Sequence, residues 1–351
     1  MSVSVGFIGA GNINRYHMKN AQAAGLKLVA VADVVESAAG DAMKQYSMAK
    51  SYGDYNQLLA DKDVQAVIIG TPNKFHAEQA IASLNAGKHV FLEKPMAMNV
   101  AEADAIVAAS KKSGKTLQMG MINRFKGAAQ TLKKFVDSGR CGNIYAAHTA
   151  WYRRRGIPGF GGWFTTKSMS GGGALIDIGV HMLDLTLYLM NFPKPVAVSG
   201  ATYNIWKELG DYTYTNMWGA PTPNGKKDVD DYALALIRFD GGQTLQLNIS
   251  WALNVGSMNP EQVVRVMGDK GGVALEGLDT PMIYTEEAGQ IVDIKPQYAN
   301  VDPGIEEIKQ FAAVVRGEMK PTATAEQGRT VQAILEAIYR SGEEQREVPV
   351  T

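Results

Sequence analysis

Few folds accommodate the order of elements in the first thirty-odd residues. Val3-Ser4-Val5-Gly6-Phe7-Ile8 reads as a short buried strand. Gly9-Ala10-Gly11-Asn12-Ile13-Asn14-Arg15 turns out of it into a helix from about Asn12 to Ala23. Leu28-Val29-Ala30-Val31-Ala32 is a second apolar strand, ending at Asp33. Strand, glycine turn, helix, strand and terminal acid make a dinucleotide-binding unit. Gly9 permits the tight turn, and Gly11 lets the backbone approach a pyrophosphate. The N–H groups at the helix start, those of Asn12 and Ile13, are positively polarised and receive the phosphates. Asp33 follows the glycines by about twenty residues, where a carboxylate can bind both hydroxyls of an adenosine ribose. Asn14 stands where the usual fingerprint has a third glycine. Val34, Val35 and Glu36 follow Asp33 with no Arg or Lys to take a 2′-phosphate, so NAD is expected and NADP disfavoured.

A chain of 351 residues has room for two domains, each with its own core. Its 35 basic and 35 acidic side chains leave no net charge, which removes the electrostatic case for nucleic acid or an anionic membrane as partner. Arg153-Arg154-Arg155 is the tight basic cluster, too short for a nucleic-acid stripe. Cys141 is alone, which excludes an intrachain disulfide and suits a reducing compartment. The first strand begins close to Met1 without a basic leader. The most apolar long stretch, Ala174 to Met190, carries Asp177, His181 and Asp184, which argues against a membrane span. A cytoplasmic location is expected.

Beyond Asp33, apolar strands alternate with helical patterns. Val64–Ile69 is a strand ending in Gly70-Thr71-Pro72-Asn73, His76–Ala86 a helix, and His89–Leu92 a strand stopped by Glu93-Lys94-Pro95. Ala101–Lys112 is a helix and Thr116–Gly120 a further strand. Such alternation implies an α/β domain with a doubly wound parallel sheet, whose ligands sit beyond the carboxyl ends of the strands. Gly9, Asp33, Thr71–Asn73 and Glu93–Lys94 all lie at such ends and point at one cleft. Near residue 124 the pattern changes. After a helix over about Gly127–Ser138, strands dominate: Ile144–Tyr152, Val196–Ile205, Tyr232–Phe239, Thr244–Trp251 and Gln262–Met267. Leu245, Leu247, Ile249 and Trp251 alternate with Gln246, Asn248 and Ser250, the period of a sheet with one polar face. Turns such as Asp240-Gly241-Gly242 make consecutive strands antiparallel. Residues 1–123 are therefore expected as the nucleotide domain and 124–351 as an α+β domain with a large, mostly antiparallel open sheet. Its C-terminal helices, Ile305–Val315 and Thr330–Arg340, are free to pack back on the first domain. Gly210–Lys227 reads as a polar loop.

Two constellations can carry chemistry. A lysine at the mouth of a dinucleotide cleft, Lys94, can polarise a substrate oxygen or relay its proton, and Pro95 restricts it to extended conformations. In the stretch Ser170-Gly171-Gly172-Gly173-Ala174-Leu175-Ile176-Asp177-Ile178-Gly179-Val180-His181, a helix places Asp177 and His181 on one face, with Asp184 close by. A carboxylate beside an imidazole fixes its orientation, and histidine titrates where it can take a hydroxyl proton. The glycines would let the chain approach a ligand closely. By residue pattern alone, an isolated Asp177–His181 reads first as a buried structural pair, and also as half of a metal site or a capping arrangement. With five His and a lone Cys in the chain, no metal is expected.

Taken together, these residues resemble the Gfo/Idh/MocA oxidoreductases, NAD(P)-dependent enzymes acting mostly on sugars, cyclitols and their derivatives. The resemblance spans essentially the whole chain. It rests on Gly9-x-Gly11, Thr71-Pro72-Asn73 with His76, Glu93-Lys94-Pro95, Asn123-Arg124, Gly171-Gly172-Gly173 with Asp177-x-x-x-His181, and Ile338-Tyr339-x-Ser341. It implies a Rossmann domain followed by an α+β domain whose open sheet serves substrate and oligomer contacts. It further implies a catalytic set of Lys94, Asp177 and His181, with His181 as principal acid/base. Glu93, Thr71, Pro72, Asn73 and His76 would line the cofactor. Arg124, Tyr152, Arg155 and Trp163, with Asp177 and His181, are the expected substrate ligands, since aromatic faces stack on sugars and arginines hydrogen-bond their hydroxyls. Arg153, Arg154 and Phe164 belong to the same segment, and Gly156–Gly162 reads as a mobile loop over the site.

The expected activity is NAD-dependent hydride transfer from a secondary alcohol of a sugar or cyclitol, in a homo-oligomer (dimer or tetramer). Two alternatives stand beside it: a redox-neutral glycosidase or lyase working through transient sugar oxidation, and a non-catalytic sugar- or NAD-sensing regulator.

Overall fold

The computed structural model describes residues 2–213, 219–256 and 259–351. They form two compact units, residues 1–122 with 302–329 and residues 123–301 with 330–351. Of the expected polar loop 210–227, residues 214–218 lie outside the described residues.

The first unit is a six-stranded parallel sheet: β1 (Ser4–Ile8), β2 (Lys27–Ala32), β3 (Lys50–Tyr52), β4 (Ala66–Ile69), β5 (His89–Glu93) and β6 (Leu117–Gly120), in the order β3-β2-β1-β4-β5-β6. The doubly wound α/β sheet read from the apolar runs is thus present, with one strand more. β3, Lys-Ser-Tyr, is too short and polar to announce itself. The crossover helices are α1 (Asn12–Ala23), α2 (Glu36–Gln45), α3 (Tyr55–Ala60), α4 (His76–Asn85) and α5 (Val100–Ser113). Asp54 caps α3 by accepting Asn56 N–H at 2.9 Å. Asn99 caps α5 by accepting Glu102 N–H at 2.9 Å, and the Glu102 carboxylate returns to Met98 N–H. The strand order reverses between β1 and β4, the switch point at which open parallel sheets bind their ligands.

In the second unit α6 (Gly127–Asp137) precedes β7 (Ile144–Tyr152). A single helical turn, α7 (Lys167–Ser170), leads to a π-helical turn (Leu175–Gly179) continuous with α8 (Val180–Leu189). Then come β8 (Pro195–Tyr203), β9 (Tyr232–Phe239), β10 (Thr244–Ser250), β11 (Gln262–Gly268), β12 (Gly271–Glu276), β13 (Pro281–Glu287) and β14 (Gln290–Ile294). The short β15 (Val348–Pro349) closes a nine-stranded sheet ordered β14-β13-β12-β11-β7-β10-β9-β8-β15. Every pairing in it is antiparallel except β10 with β7. Leu245, Leu247, Ile249 and Trp251 are fully buried on one face. That is the face α8 covers, since α8 packs on β7 and β11. The window that would be apolar and long enough for a membrane, within Lys167–Leu189, is 83% buried in the protein and is a core helix.

Helix α9 (Pro303–Val315) belongs to the first unit. Asp302 caps it, Gly304 lets it lie close to Tyr16 and Asn20 of α1, and Ile308 and Phe311 enter the core beside Phe7, Met18 and Phe91. The Phe91 and Phe311 rings meet edge to face at 5.6 Å. In sequence, the division between the two units falls within helix α10 (Ala325–Glu344), after Arg329.

Candidate active site

The glycine turn is held from below so that its upper side stays clear. Gly9 has φ +99°, a region that favours glycine. Asn14 explains why the third glycine is dispensable: its Nδ2 donates to the carbonyls of Ile8 (2.7 Å) and Gly9 (2.8 Å), pinning the turn to the end of β1. Gly70 on β4's exit makes room for it, since a Cβ there would stand 2.5 Å from Asn14 Oδ1. Gly11 is different, because a Cβ at this position would meet nothing within 4 Å. Helix α1 has no side-chain cap and no acid in its first turn, so its leading N–H groups remain available to an anion. Asp33 accepts Ala10 N–H at 2.7 Å through Oδ2 and Val35 N–H at 2.8 Å through Oδ1. Each oxygen keeps a further lone pair for a ribose hydroxyl. An open glycine, an uncapped helix start and an oriented carboxylate fit a dinucleotide.

Lys94 sits in a frame built from the strand end. The Glu93 carboxylate accepts Lys94 N–H at 3.0 Å through Oε2 and meets His17 Nε2 at 2.6 Å through Oε1. His17, on α1, is buried and packs edge-on against Phe91 at 5.1 Å. His76, expected to line the cofactor, is only 1% exposed and has another task. Its Nδ1 lies 2.7 Å from Pro95 O and its Nε2 2.9 Å from Thr71 O, so it ties the loop after β4 to the loop after β5. Two carbonyl partners favour the charged ring, but burial outweighs them and holds its pKa below the ordinary value. Thr71 donates its hydroxyl to Gln79 Oε1 at 2.6 Å. Pro72 is part-exposed and Asn73 buried in the following turn.

In the second unit, every residue from Gly172 to Met190 is buried except two, Asp177 and His181. The π turn carries Asp177 and the first turn of α8 carries His181. Trp251, fully buried at the end of β10, donates its indole N–H to Asp177 Oδ2 at 3.0 Å. Sequence reading put Trp251 on the core face by alternation but missed it as the partner of Asp177. The glycines are also explained differently from expectation. A Cβ on Gly172 would stand 2.0 Å from the Tyr339 hydroxyl, and one on Gly173 2.0 Å from the main-chain oxygen of Asp230. They admit parts of the protein itself rather than a ligand.

Several expected substrate ligands fall elsewhere. Arg124 is 0% exposed and makes a two-pronged pair with Asp184, Nε to Oδ2 at 2.8 Å and Nη2 to Oδ1 at 2.6 Å, between the rings of Tyr188 and Phe192. It anchors α8 and is closed to a substrate. Tyr152 pairs with Ser250, one residue out of step with Trp151 and Trp251, so the pleat turns it to the opposite side of the sheet from Asp177. Arg155 is spent internally: it donates to the carbonyls of Thr213, Arg154 and Leu253 and to Asn254 Oδ1, and stacks over Trp206. Trp163 remains exposed, its ring 4.4 Å from that of Phe164. Of the arginine triplet, Arg153 has the right parity. It lies over Trp151 at 4.6 Å, and the fields of Asp177 and Glu261 oppose the burial that lowers its pKa. The expected flap over 156–162 is anchored, with Ile157 and Phe160 fully buried.

Residues 3–121 match the oxidoreductase family described as an NAD-binding Rossmann fold, and residues 129–274 match the GFO/IDH/MocA C-terminal domain. The chain is 33% identical over 346 residues to D-glucoside 3-dehydrogenase of Escherichia coli, covering 97% of this chain and 95% of that one. It is 34% identical over 195 residues to inositol 2-dehydrogenase of Salmonella typhimurium, covering 54% and 55% of the two chains. The solved structure of levoglucosan dehydrogenase in complex with NADH and levoglucosan shares the fold, with a TM-score of 0.86 over 100% of both chains at 23% identity.

Proposed function

The chain belongs to the Gfo/Idh/MocA oxidoreductase family, and from that premise we propose that it oxidises a secondary alcohol of a sugar, sugar derivative or cyclitol with NAD. The observation that carries the chemistry is the pair of part-exposed polar residues, Asp177 and His181, on an otherwise buried helix. NAD, when bound, supplies the hydride acceptor. In this reading His181 takes the hydroxyl proton at Nε2, its Nδ1 being shut away from solvent. Asp177, oriented by Trp251, stabilises the imidazolium or holds a neighbouring hydroxyl. Lys94, set by Glu93 and by the His76-tied loop, polarises the reacting oxygen. Arg153 and Trp163 are the substrate contacts retained from the triplet and the aromatic pair. Full-length similarity to a D-glucoside 3-dehydrogenase supports a glucoside as the first substrate to try. A cytoplasmic homo-oligomer is part of the same reading.

Positioned proton transfer contributes about 10²–10⁴-fold, so His181→Ala and Lys94→Ala should each lower turnover by at least ~100-fold while NADH still binds. Near-normal turnover in both would overturn the assignment. Spectrophotometric screening of NAD and NADP against methyl glucosides, levoglucosan and inositols should show stoichiometric NADH. Glycoside cleavage without net NADH would instead identify the redox-neutral glycosidase.

A further inference from the structure

The helix that carries Asp177 and His181 starts in a clamp. Three successive backbone N–H groups donate to one residue: Gly173 to Asp230 Oδ1 at 2.7 Å, Ala174 to the Asp230 main-chain oxygen at 3.0 Å, and Leu175 to Oδ2 at 2.9 Å. Tyr339, on α10, donates its hydroxyl to Oδ1 at 2.6 Å. The π turn that follows has no capping side chain of its own, so Asp230 supplies the cap from a distant part of the chain. Contact is so close that only glycine fits at residues 172 and 173. The clamp reaches the reacting groups through the backbone, because Gly173, held at its N–H, accepts Asp177 N–H at its own carbonyl at 2.9 Å. π turns are rare and unfavourable by themselves, and they persist where their surroundings hold them.

We infer that Asp230 and Tyr339 are positioning residues for the Asp177–His181 pair, fixing the register of the π turn so that both side chains emerge together. This rests on the catalytic reading of Asp177 and His181 given above. Neither Asp230 nor Tyr339 is required to touch substrate. Burial and the adjacent Asp230 carboxylate push the Tyr339 phenol well above its ordinary pKa, so it stays a donor wherever the protein is folded.

The test uses the full-length chain with Tyr339→Phe and Asp230→Asn. Three measurements are taken: amide hydrogen exchange over residues 172–182, NADH binding by fluorescence, and the His181 ring resonance against pH. That resonance is assigned by its loss in His181→Gln among the five histidines of the chain. Turnover is measured with methyl β-D-glucopyranoside and myo-inositol. Displacement of catalytic groups by about 1 Å can lower rates about 100-fold, so Tyr339→Phe should reduce kcat by about 10- to 100-fold with a smaller change in KM, and Asp230→Asn by more. Exchange should accelerate over 173–181, the His181 titration should move, and NADH affinity should hold. A folded Tyr339→Phe with unchanged kcat, exchange and His181 titration overturns the inference. A lowered Tm with those three readouts unchanged does so too. Should Asp230→Asn fail to fold, Tyr339→Phe decides. Should the unsubstituted protein turn over neither sugar, the functional reading fails by itself, while exchange and the His181 resonance still settle the clamp.

Discussion

The molecule contains two glycine-rich entries into a helix, and they serve opposite ends. At Gly9–Gly11 the absent side chains leave open space above an uncapped helix start, kept clear by Asn14 and Asp33 from beneath. At Gly172 and Gly173 the space is filled, by Tyr339 and by the backbone of Asp230, and the N–H groups of Gly173, Ala174 and Leu175 are bonded to Asp230. Glycine in the first leaves room for a ligand. In the second it admits another part of the chain, which then aims two side chains. Similar residue patterns thus carry different physical meaning, decided by what occupies the volume a Cβ would take.

Substitutions can break this contrast. The largest expected effect is at the far end of the second helix, where Asp184→Ala leaves Arg124 buried without its carboxylate. Loss of one partner of a buried pair costs about 3–5 kcal/mol, so urea unfolding should show a much lower midpoint. Gly173→Ala comes next. Its Cβ would meet the Asp230 main-chain oxygen at 2.0 Å, and overpacking against backbone costs about 3 kcal/mol, so both Tm and turnover should fall. Gly11→Ala should do the reverse, leaving Tm in place because nothing of the protein is within 4 Å. It should weaken NADH by about tenfold, roughly 1.4 kcal/mol, by obstructing the pyrophosphate. If Gly11→Ala unfolds the protein, or Gly173→Ala is silent, the contrast is wrong.

The smallest effect concerns pH. Burial holds His76 below its ordinary value of 6.5, so the unfolded chain binds the proton more readily. Its contribution is intact above that value and is lost as pH falls through it toward the folded pKa. His89 and His148 are shifted the same way by burial. Tm should therefore decline between about pH 7 and pH 5, and His76→Asn should flatten that decline in part.

What the sequence disclosed follows the same division. The run Val3–Ile8, the glycines and the acid at Asp33 form a local pattern, and α1 occupies the interval read for it, Asn12–Ala23. Lys94 at a strand end and Asp177 four residues before His181 were equally local. Partners were not legible. Asp230 lies 57 residues from Gly173, and Tyr339 lies 109 from Asp230, and only the pairing of strands and helices brings them together. The same limit hid the surroundings of Arg124, Arg155 and Tyr152. Their types suit sugar recognition, but burial beside Asp184, bonding to carbonyls and the pleat of β7 direct them elsewhere. β12 to β14 escaped notice because short, half-polar strands such as Gln290–Ile294 lack an apolar run.

The return of residues 302–329 to the first unit bears on how the chain is made. Phe7, Met18 and Phe91 are synthesised well before Ile308 and Phe311, which complete their core. The nucleotide-binding half must therefore wait, its apolar surface uncovered, while the other half is synthesised. A single cut after residue 122 cannot release it as a finished body.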